Sequence, residues 1–235
     1  MAEIGSIIEK YDKFVIFDTE TTGLDFARDE IIEFSAVVLE AKDGKAVVTQ
    51  EYDNLITLTP GNRVPANITA LTGISNEDIA QRGIPKAQLC QDIAHMIGGN
   101  TLLLAYNAHF DLSFLFYLLL RNGDPTILKG KDKLDLLTVY KDRRPFPHKL
   151  CNAIEAYGLQ GQVVNSHRAI DDVLATVAVM EAMAVEKDDL EHYVNLFGYN
   201  PKYGIDGKPI GSVTYKPQRF HNTGAQFITP LYQSL

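Results

Sequence analysis

Four carboxylates and one histidine are the residues of this sequence best suited to chemistry. They lie in three separate motifs: Asp18 and Glu20 in the first, Asp111 in the second, and His167 with Asp172 in the third. A carboxylate beside apolar residues is costly to bury without a cation, and Mg²⁺ and Mn²⁺ are cations that prefer oxygen ligands. Several carboxylates, no cysteine ligand and a histidine free for proton transfer suit metal-assisted hydrolysis of a phosphodiester.

The first motif places two carboxylates at the end of a predicted strand. Residues 14–17 are all apolar and directly precede Asp18, and a short run of this kind predicts a buried strand. Residues i and i+2 of a strand point to the same side, so Asp18 and Glu20 can face one point. The carboxyl ends of strands are also where open α/β sheets tend to bind ligands. A pair of surface acids before a turn is the alternative, which the apolar run disfavours.

The second motif lies at the start of a predicted helix, residues 110–121. An acid such as Asp111 is favoured there by the helix dipole, so N-capping is a sufficient explanation for this motif taken alone. Asn107 and Phe110 would lie at the same edge of the sheet. Their presence favours a functional site at that edge.

The third motif joins a histidine to an acid near the start of a predicted helix, residues 168–185. His167 and Asp172 are five positions apart, and Asp171 competes with Asp172 for a ligand role. A lone histidine is more often structural than catalytic. Beside an acid, in a chain with two other acidic motifs, His167 becomes a candidate for proton transfer.

The composition is that of an ordinary globular chain. Its 235 residues are 46% hydrophobic and 22% charged, with a net charge of −8, enough for one well-buried core. The negative charge argues against nonspecific coating of nucleic acid but not against a nucleic-acid enzyme, because bound cations reverse the local field of acidic ligands. Cys90 and Cys151 match no zinc or redox spacing. With neither a basic leader nor a long apolar stretch, we expect a cytoplasmic protein without a membrane span.

Apolar runs and turn residues predict an α/β fold with a mixed sheet flanked by helices. The predicted strands are 13–18, 31–40, 46–58, 101–106 and 134–139, and the predicted helices are 65–72, 75–80, 86–97, 110–121, 149–157 and 168–185. The first three strands favour an antiparallel meander. We expect a catalytic domain over residues 1–188 and an extension over residues 189–235, rich in Gly, Pro and aromatic residues, that packs on the core or on a partner.

Taken together, the motifs resemble those of the DEDDh 3′-to-5′ exonucleases, which include the proofreading epsilon subunit of bacterial DNA polymerase III and the PolC-type exonuclease domain. The family patterns are Asp-x-Glu-Thr-Thr-Gly at 18–23, Asn-x-x-Phe-Asp at 107–111 and His-x4-Asp at 167–172. The third pattern selects Asp172 over Asp171. The resemblance spans residues 12–186 and implies a ribonuclease H-like fold. One departure is Tyr106, where the family often has histidine, but this position is not a metal ligand.

The resemblance implies a two-metal mechanism. Two Mg²⁺ or Mn²⁺ ions would be held by Asp18, Glu20, Asp111 and Asp172, and His167 would act as general base toward the attacking water. The enzyme would hydrolyse single-stranded 3′ ends of DNA and release nucleoside 5′-monophosphates.

The resemblance also implies a set of residues around the terminal nucleotide. These are Thr19, Thr21, Thr22, Leu24, Leu71, Ile74, Asn107 and Phe110. Apolar contact with a base tolerates any sequence. Residues 121–149 contain eight Lys or Arg against four Asp. This basic segment would either guide the phosphate backbone or form a solvated loop face.

Three other functions stay open from the sequence. An exoribonuclease that trims RNA would use the same chemistry, and 2′-hydroxyl contacts cannot be predicted from the motifs. A non-catalytic nucleic-acid-binding module would be expected to lack at least one of the five motif residues, and all five are present. The chain could also join a polymerase or another replication or repair protein through its aromatic C-terminal extension.

Overall fold

A central five-stranded sheet organises the protein, of which the computed structural model describes residues 3–218 and 229–234. Its strands are β1 (Lys13–Thr21), β2 (Ile31–Lys42), β3 (Lys45–Leu55), β4 (Thr101–Ala105) and β5 (Asp132–Asp135), in the order β3-β2-β1-β4-β5. β1, β2 and β3 form an antiparallel meander, while β4 runs parallel to β1 and β5 runs parallel to β4. The predicted mixed sheet is therefore confirmed, and β1 lies at its centre.

Seven α-helices are found in the described part of the chain. They are α1 (Ala66–Thr72), α2 (Asn76–Arg82), α3 (Lys86–Met96), α4 (Ala108–Asn122), α5 (Leu136–Arg143), α6 (Leu150–Ala156) and α7 (Ala169–Glu186). Each predicted helix corresponds to one of these, with ends displaced by a few residues, whereas α5 was not predicted. Within residues 3–218 and 229–234, no helix has the length and apolar character needed to cross a bilayer.

The alternating side chains of β1 supply a core on each face of the sheet. Phe14 and Ile16 pack in the core that also contains residues of α5, α6 and α7. Val15 and Phe17 pack in the core on the opposite face, with residues of α3 and α4. A strand buried on both faces reads as a continuous apolar run. This explains why residues 14–17 show no polar alternation.

The fifth predicted strand, residues 134–139, is wrong in its second half. β5 ends at Asp135 and α5 begins at Leu136. The Asp135 carboxylate accepts hydrogen bonds from the backbone N–H groups of Leu137 and Thr138, so it caps a helix where a strand was expected to continue. A short apolar run fits a buried strand and a buried helix equally well.

The described part of the C-terminal extension packs on the core. It forms a parallel pair, β6 (Leu196–Tyr199) and β7 (Thr214–Pro217), that was not predicted. Phe197 is 1% exposed and joins the core beneath α3 and α4, while Leu231 joins the opposite core. The backbone N–H of Asn195 donates to the carbonyl of Lys133, within β5, at 2.7 Å.

The same extension contacts α4 through a histidine. Nε2 of His109 lies 2.5 Å from the carbonyl oxygen of Asp206, and Nδ1 lies 2.7 Å from the hydroxyl of Tyr215. Since a carbonyl oxygen only accepts, Nε2 carries a hydrogen and donates to Asp206. The extension is thus tied to the helix that carries Asp111.

We predict that Asp135→Ala lowers the free energy of unfolding by about 2–4 kcal/mol. The carboxylate also accepts from the backbone N–H groups of Asn107 and Ala108, at 3.0 and 3.1 Å, so its loss releases the starts of two helices. Urea denaturation measures the change. Asp124→Ala is the matched control, because Asp124 makes similar bonds to Thr126 at an exposed position. A loss no larger than that of the control would contradict the prediction.

Candidate active site

Two carboxylates project from the C-terminal end of β1. Side chains alternate along the strand, so Asp18 and Glu20 continue the face on which Phe14 and Ile16 enter the core beneath α7. Both carboxylates are half-buried. β1 extends to Thr21, so Asp18 and Glu20 both lie within the strand. This is the condition under which the two side chains were predicted to point to the same side.

A third carboxylate reaches them from α7. Oxygens of Asp18, Glu20 and Asp172 lie within 4.8 Å of one another, and Asp172 is 8% exposed. We call these three residues the acidic cluster. The neighbouring Asp171 instead accepts a 2.5 Å hydrogen bond from the hydroxyl of Ser166. Of the two adjacent acids, the structure thus places Asp172 with the first motif.

Asp111 approaches from the first turn of α4. It is 2% exposed, and its Oδ1 accepts hydrogen bonds from the backbone N–H and the hydroxyl of Thr19, at 3.0 and 2.7 Å. It does not belong to the acidic cluster, although its charge contributes to raising the pKa of Asp18. The Thr19 side chain, predicted to contact substrate, is 5% exposed and holds Asp111.

Burial is the main reason that all four carboxyl groups have raised pKa values. It raises the pKa of Glu20 to about 8, with a further contribution from the charges of Asp172 and other neighbours. It raises the pKa of Asp111 to about 7. The pKa of Asp18 lies well above its ordinary value through burial and then the surrounding carboxylates. That of Asp172 is also raised by burial, against a 2.6 Å hydrogen bond from the Asn165 amide.

This donor set fits a divalent cation. Burial and mutual repulsion destabilise the ionised carboxylates, and a bound cation of charge +2 would favour the ionised forms. All the donors are oxygens, which Mg²⁺ and Mn²⁺ prefer to nitrogen and sulfur. Asp18, Glu20 and Asp172 are close enough together to hold one ion, with Asp111 beside them.

His167 lies at the edge of the acidic cluster. It directly precedes the N-cap residue of α7, and it is exposed to solvent. Its backbone has φ 59°, a left-handed conformation that is uncommon for residues other than glycine. It lies close enough to Asp172 to oppose the rise in the pKa of that carboxyl group. The imidazole therefore has access to water next to the carboxylates.

Sequence reasoning missed an ion pair behind the third motif. Glu33, near the start of β2, is 0% exposed and accepts hydrogen bonds from Arg168, the residue after His167. Glu33 is an isolated acid within the apolar run 31–39. An acid within an apolar run could have identified Glu33 as a paired residue from the sequence, since an acid is almost never fully buried unless it is paired.

The residues predicted to surround a nucleotide differ in accessibility. Leu24 and Leu71 are 78% and 51% exposed, whereas Ile74 is 3% exposed and packs in a small core cluster. Asn107 is exposed, with a left-handed backbone, and Phe110 packs its ring against Phe114. The two exposed leucines are the apolar side chains of this set most available for contact with a base.

The loop after β1 is held by its own polar residues. The Thr21 hydroxyl donates to the carbonyl of Gly23 at 2.6 Å, and the Thr22 hydroxyl donates to Asp29 at 3.1 Å. A Cβ at Gly23 would lie 2.3 Å from a carboxylate oxygen of Asp29, so a larger residue cannot occupy that position without a shift. The Thr-Thr-Gly part of the first motif thus shapes the loop that carries Leu24.

Several cations of the basic segment, residues 121–149, are committed to internal contacts. Lys133 is 2% exposed. Arg143 pairs with Asp189 at 2.5 Å, and Arg144 pairs with Glu186 at 2.6 Å. These pairs join α5 to the region at the end of α7. They leave fewer charges for a nucleic-acid backbone than the sequence count suggests.

Comparison with known proteins identifies the family. The sheet order and flanking helices form a ribonuclease H-like fold, and a model of the exonuclease family matches residues 15–180. The chain therefore belongs to the exonuclease family, as the resemblance of the three motifs predicted. The structure is similar to the crystal structure of E. coli exonuclease I in complex with a dA16 oligonucleotide. The TM-score is 0.68 and the identity 21%, over 77% of this chain and 42% of that one.

Two curated relatives are larger proteins. The chain is 33% identical over 171 residues to DNA polymerase III PolC-type of Clostridium perfringens. The matched region covers 72% of this chain and 11% of the relative. It is 32% identical over 169 residues to the 3′-5′ exonuclease DinG of Bacillus subtilis, covering 70% of this chain and 17% of the relative. The chain thus matches only a small part of each of these proteins.

We predict that the metal-free protein loses stability as the pH rises from about 4 to about 8, between the unfolded and the folded pKa values of its buried acids. An acid whose pKa is higher in the folded than in the unfolded state binds more protons when folded, so its stabilisation is lost as pH rises through the folded value. That value is about 7 for Asp111 and about 8 for Glu20. Mg²⁺ or Mn²⁺ should raise the melting temperature, and more strongly at higher pH. Thermal unfolding with and without metal measures both effects.

The matched variants are Asp18→Asn and Asp78→Asn. Asp18→Asn should flatten the pH dependence and reduce the effect of metal, because one of the repelling charges is gone. Asp78 is half-buried and lies outside the acidic cluster, and hydrogen bonds from Ser75 and Arg82 lower its pKa to about 2, so its variant should keep the wild-type profile in this range. Equal profiles for all three proteins would contradict the assignment of the acidic cluster as a metal site.

Proposed function

We propose that this chain is a 3′-to-5′ exonuclease that hydrolyses single-stranded 3′ ends of DNA and releases nucleoside 5′-monophosphates. The observation that carries the proposal is the acidic cluster at the end of β1, with Asp111 and His167 beside it. Membership of the exonuclease family supports the reaction type. The name of the DinG relative supports the direction, and the dA16 oligonucleotide bound to exonuclease I supports the substrate.

The residues that would hold two Mg²⁺ or Mn²⁺ ions are Asp18, Glu20 and Asp172, with Asp111 completing the set. When bound, the ions lower the pKa of the attacking water and stabilise negative charge on the leaving 3′-oxygen. Thr19 fixes Asp111 by two hydrogen bonds to the same oxygen. This contact orients the Asp111 carboxylate before any ligand binds.

His167 would accept the proton of the attacking water. Its exposure gives the imidazole access to solvent, and it lies close enough to Asp172 to lower the pKa of that carboxyl group. The left-handed backbone places the residue outside the helical path of α7. A positioned general base contributes about 10²–10⁴ to the rate.

Leu24 and Leu71 would contact the terminal nucleotide. Exposed apolar side chains add contact with a base without reading its hydrogen-bonding edge, so degradation would proceed through any sequence. Leu24 lies on the loop shaped by Thr21 and Thr22. The PolC-type relative supports association with a polymerase or another replication or repair protein.

The proposal is tested by degradation of end-labelled single-stranded DNA and RNA of matched sequence. We expect stepwise shortening from the 3′ end with Mg²⁺ or Mn²⁺, none with EDTA, and faster degradation of DNA than of RNA. Asp18→Asn should abolish shortening, because the central carboxylate of the proposed site is lost. Chromatography should identify nucleoside 5′-monophosphates.

Three outcomes would contradict the proposal in different ways. Faster degradation of RNA would identify an exoribonuclease. Binding of the oligonucleotide without cleavage, by folded protein with metal, would identify a nucleic-acid-binding module. Full activity of Asp18→Asn would show that the acidic cluster does not hold the catalytic metal.

We predict that His167→Ala lowers kcat by about 10²–10⁴ and leaves Mn²⁺ affinity within about twofold of wild type. The general base is removed while the carboxylates remain. Steady-state kinetics and calorimetric titration with Mn²⁺ give the two values. His95→Ala is the matched control, because His95 is exposed on α3. An equal loss of metal affinity and rate in His167→Ala would make His167 a ligand or a structural residue.

A further inference from the structure

A carboxylate near the start of β2 holds the start of α7. Glu33 is 0% exposed. One of its oxygens accepts hydrogen bonds from Nε and Nη2 of Arg168, at 2.8 and 2.5 Å. The other accepts from the backbone N–H of Ala169 at 2.8 Å. A single buried side chain therefore binds both the N-cap residue of α7 and its first helical residue.

This contact replaces a local helix cap. Arg168 occupies the N-cap position and makes no side-chain capping bond. Helix N-termini are usually satisfied by a short polar side chain at that position. In this protein the acceptor comes instead from β2, 135 or 136 residues away in sequence. The start of α7 is consequently fixed by the sheet.

The same carboxylate is in register with the acidic cluster. In the antiparallel pair of β1 and β2, Glu33 lies directly opposite Glu20, and directly opposed residues share one face of a sheet. His167 directly precedes Arg168, which Glu33 holds, and Asp172 follows Arg168 by about one turn of α7. Glu33 therefore connects the strand side of the site to the helix side.

Stability alone is a poor explanation for this ion pair. Glu33 is fully buried, whereas the Arg168 side chain is 37% exposed, and the desolvation of a buried charge offsets much of its attraction to a partner. Neighbouring positions of β2 are filled by apolar residues such as Ile32 and Phe34, both buried. An acid at this one position also adds negative charge beside Glu20, whose pKa it helps to raise. A geometric role accounts for its presence.

We propose that Glu33 and Arg168 are positioning residues, which set the start of α7 so that Asp172 meets Asp18 and Glu20 at the spacing needed to hold a metal ion. The inference rests on the proposed function, since it assumes that the acidic cluster binds metal. It adds two residues that neither bind the metal nor touch the substrate. Mutation of residues that orient the metal ligands without binding the metal typically changes metal affinity or activity by about 10–100-fold.

The test is a double-mutant cycle with Glu33→Gln, Arg168→Gln and the combined variant. Calorimetry with Mn²⁺ in the absence of substrate gives metal affinity, and a single-stranded oligonucleotide assay gives kcat and KM. We expect each single variant to weaken Mn²⁺ binding about tenfold and to lower kcat, with KM changed less than about twofold. The combined variant should lose no more than the worse single variant, because the two residues act through one contact.

Asp189→Asn is the matched control for loss of a buried ion pair. Asp189 is 4% exposed and pairs with Arg143 near the end of α7 remote from the cluster. Its variant should lower the melting temperature and leave Mn²⁺ affinity and kcat unchanged. Arg168→Lys should recover part of the lost affinity, since it restores a positive charge but not the planar double contact.

The outcomes separate this inference from the proposed function. Wild-type protein that neither binds Mn²⁺ nor cleaves overturns both. Active wild-type protein whose Glu33→Gln and Arg168→Gln variants keep normal Mn²⁺ affinity overturns the positioning role alone. The role is also overturned if the two losses add in the combined variant, or if Asp189→Asn weakens Mn²⁺ binding by the same factor.

Discussion

Repulsion among partly buried carboxylates is the constraint on which the rest of the site depends. The acidic cluster brings three oxygens within 4.8 Å of one another, and burial alone already disfavours their charged forms. The surrounding structure holds them together without neutralising them. Neutral donors from Thr19 and Asn165 orient Asp111 and Asp172, and the nearby arginine is bound to Glu33. Because the carboxylates have no cationic partner among the neighbouring side chains that the structure describes, the site favours binding of a cation from solution.

The sheet supplies the rigidity that such a site requires. β1 lies between β2 and β4 and is buried on both faces, so the end of the strand cannot move without disturbing two cores. β4 runs parallel to β1 and leads into α4, which brings Asp111 to the same edge. Asp135, from β5, binds the start of α4, and Glu33 binds the start of α7. Each element that carries a carboxylate is thereby tied to the sheet.

Much of this arrangement is determined by the sequence alone. The continuous apolar run at residues 14–17 identifies a doubly buried strand, and the two-residue spacing after it places Asp18 and Glu20 on one side. Apolar runs and turn residues predict the meander and most of the helices. The three motifs, through their resemblance to the family patterns, predict the exonuclease family, which the match over residues 15–180 confirms. These features are local, or depend on patterns that recur within a family.

Only the tertiary structure decides which distant residues meet. It assigns Thr19 to Asp111, 92 residues away, and Glu33 to Arg168, 135 residues away. It ends the fifth strand at Asp135, because that carboxylate has backbone donors from two helices within reach, whereas the apolar run alone fits a strand or a helix. It also places Arg143 and Arg144 of the basic segment in ion pairs and buries Lys133. Periodicity encodes local conformation and the buried face of each element, but the partner of a buried charge is fixed only when the elements pack.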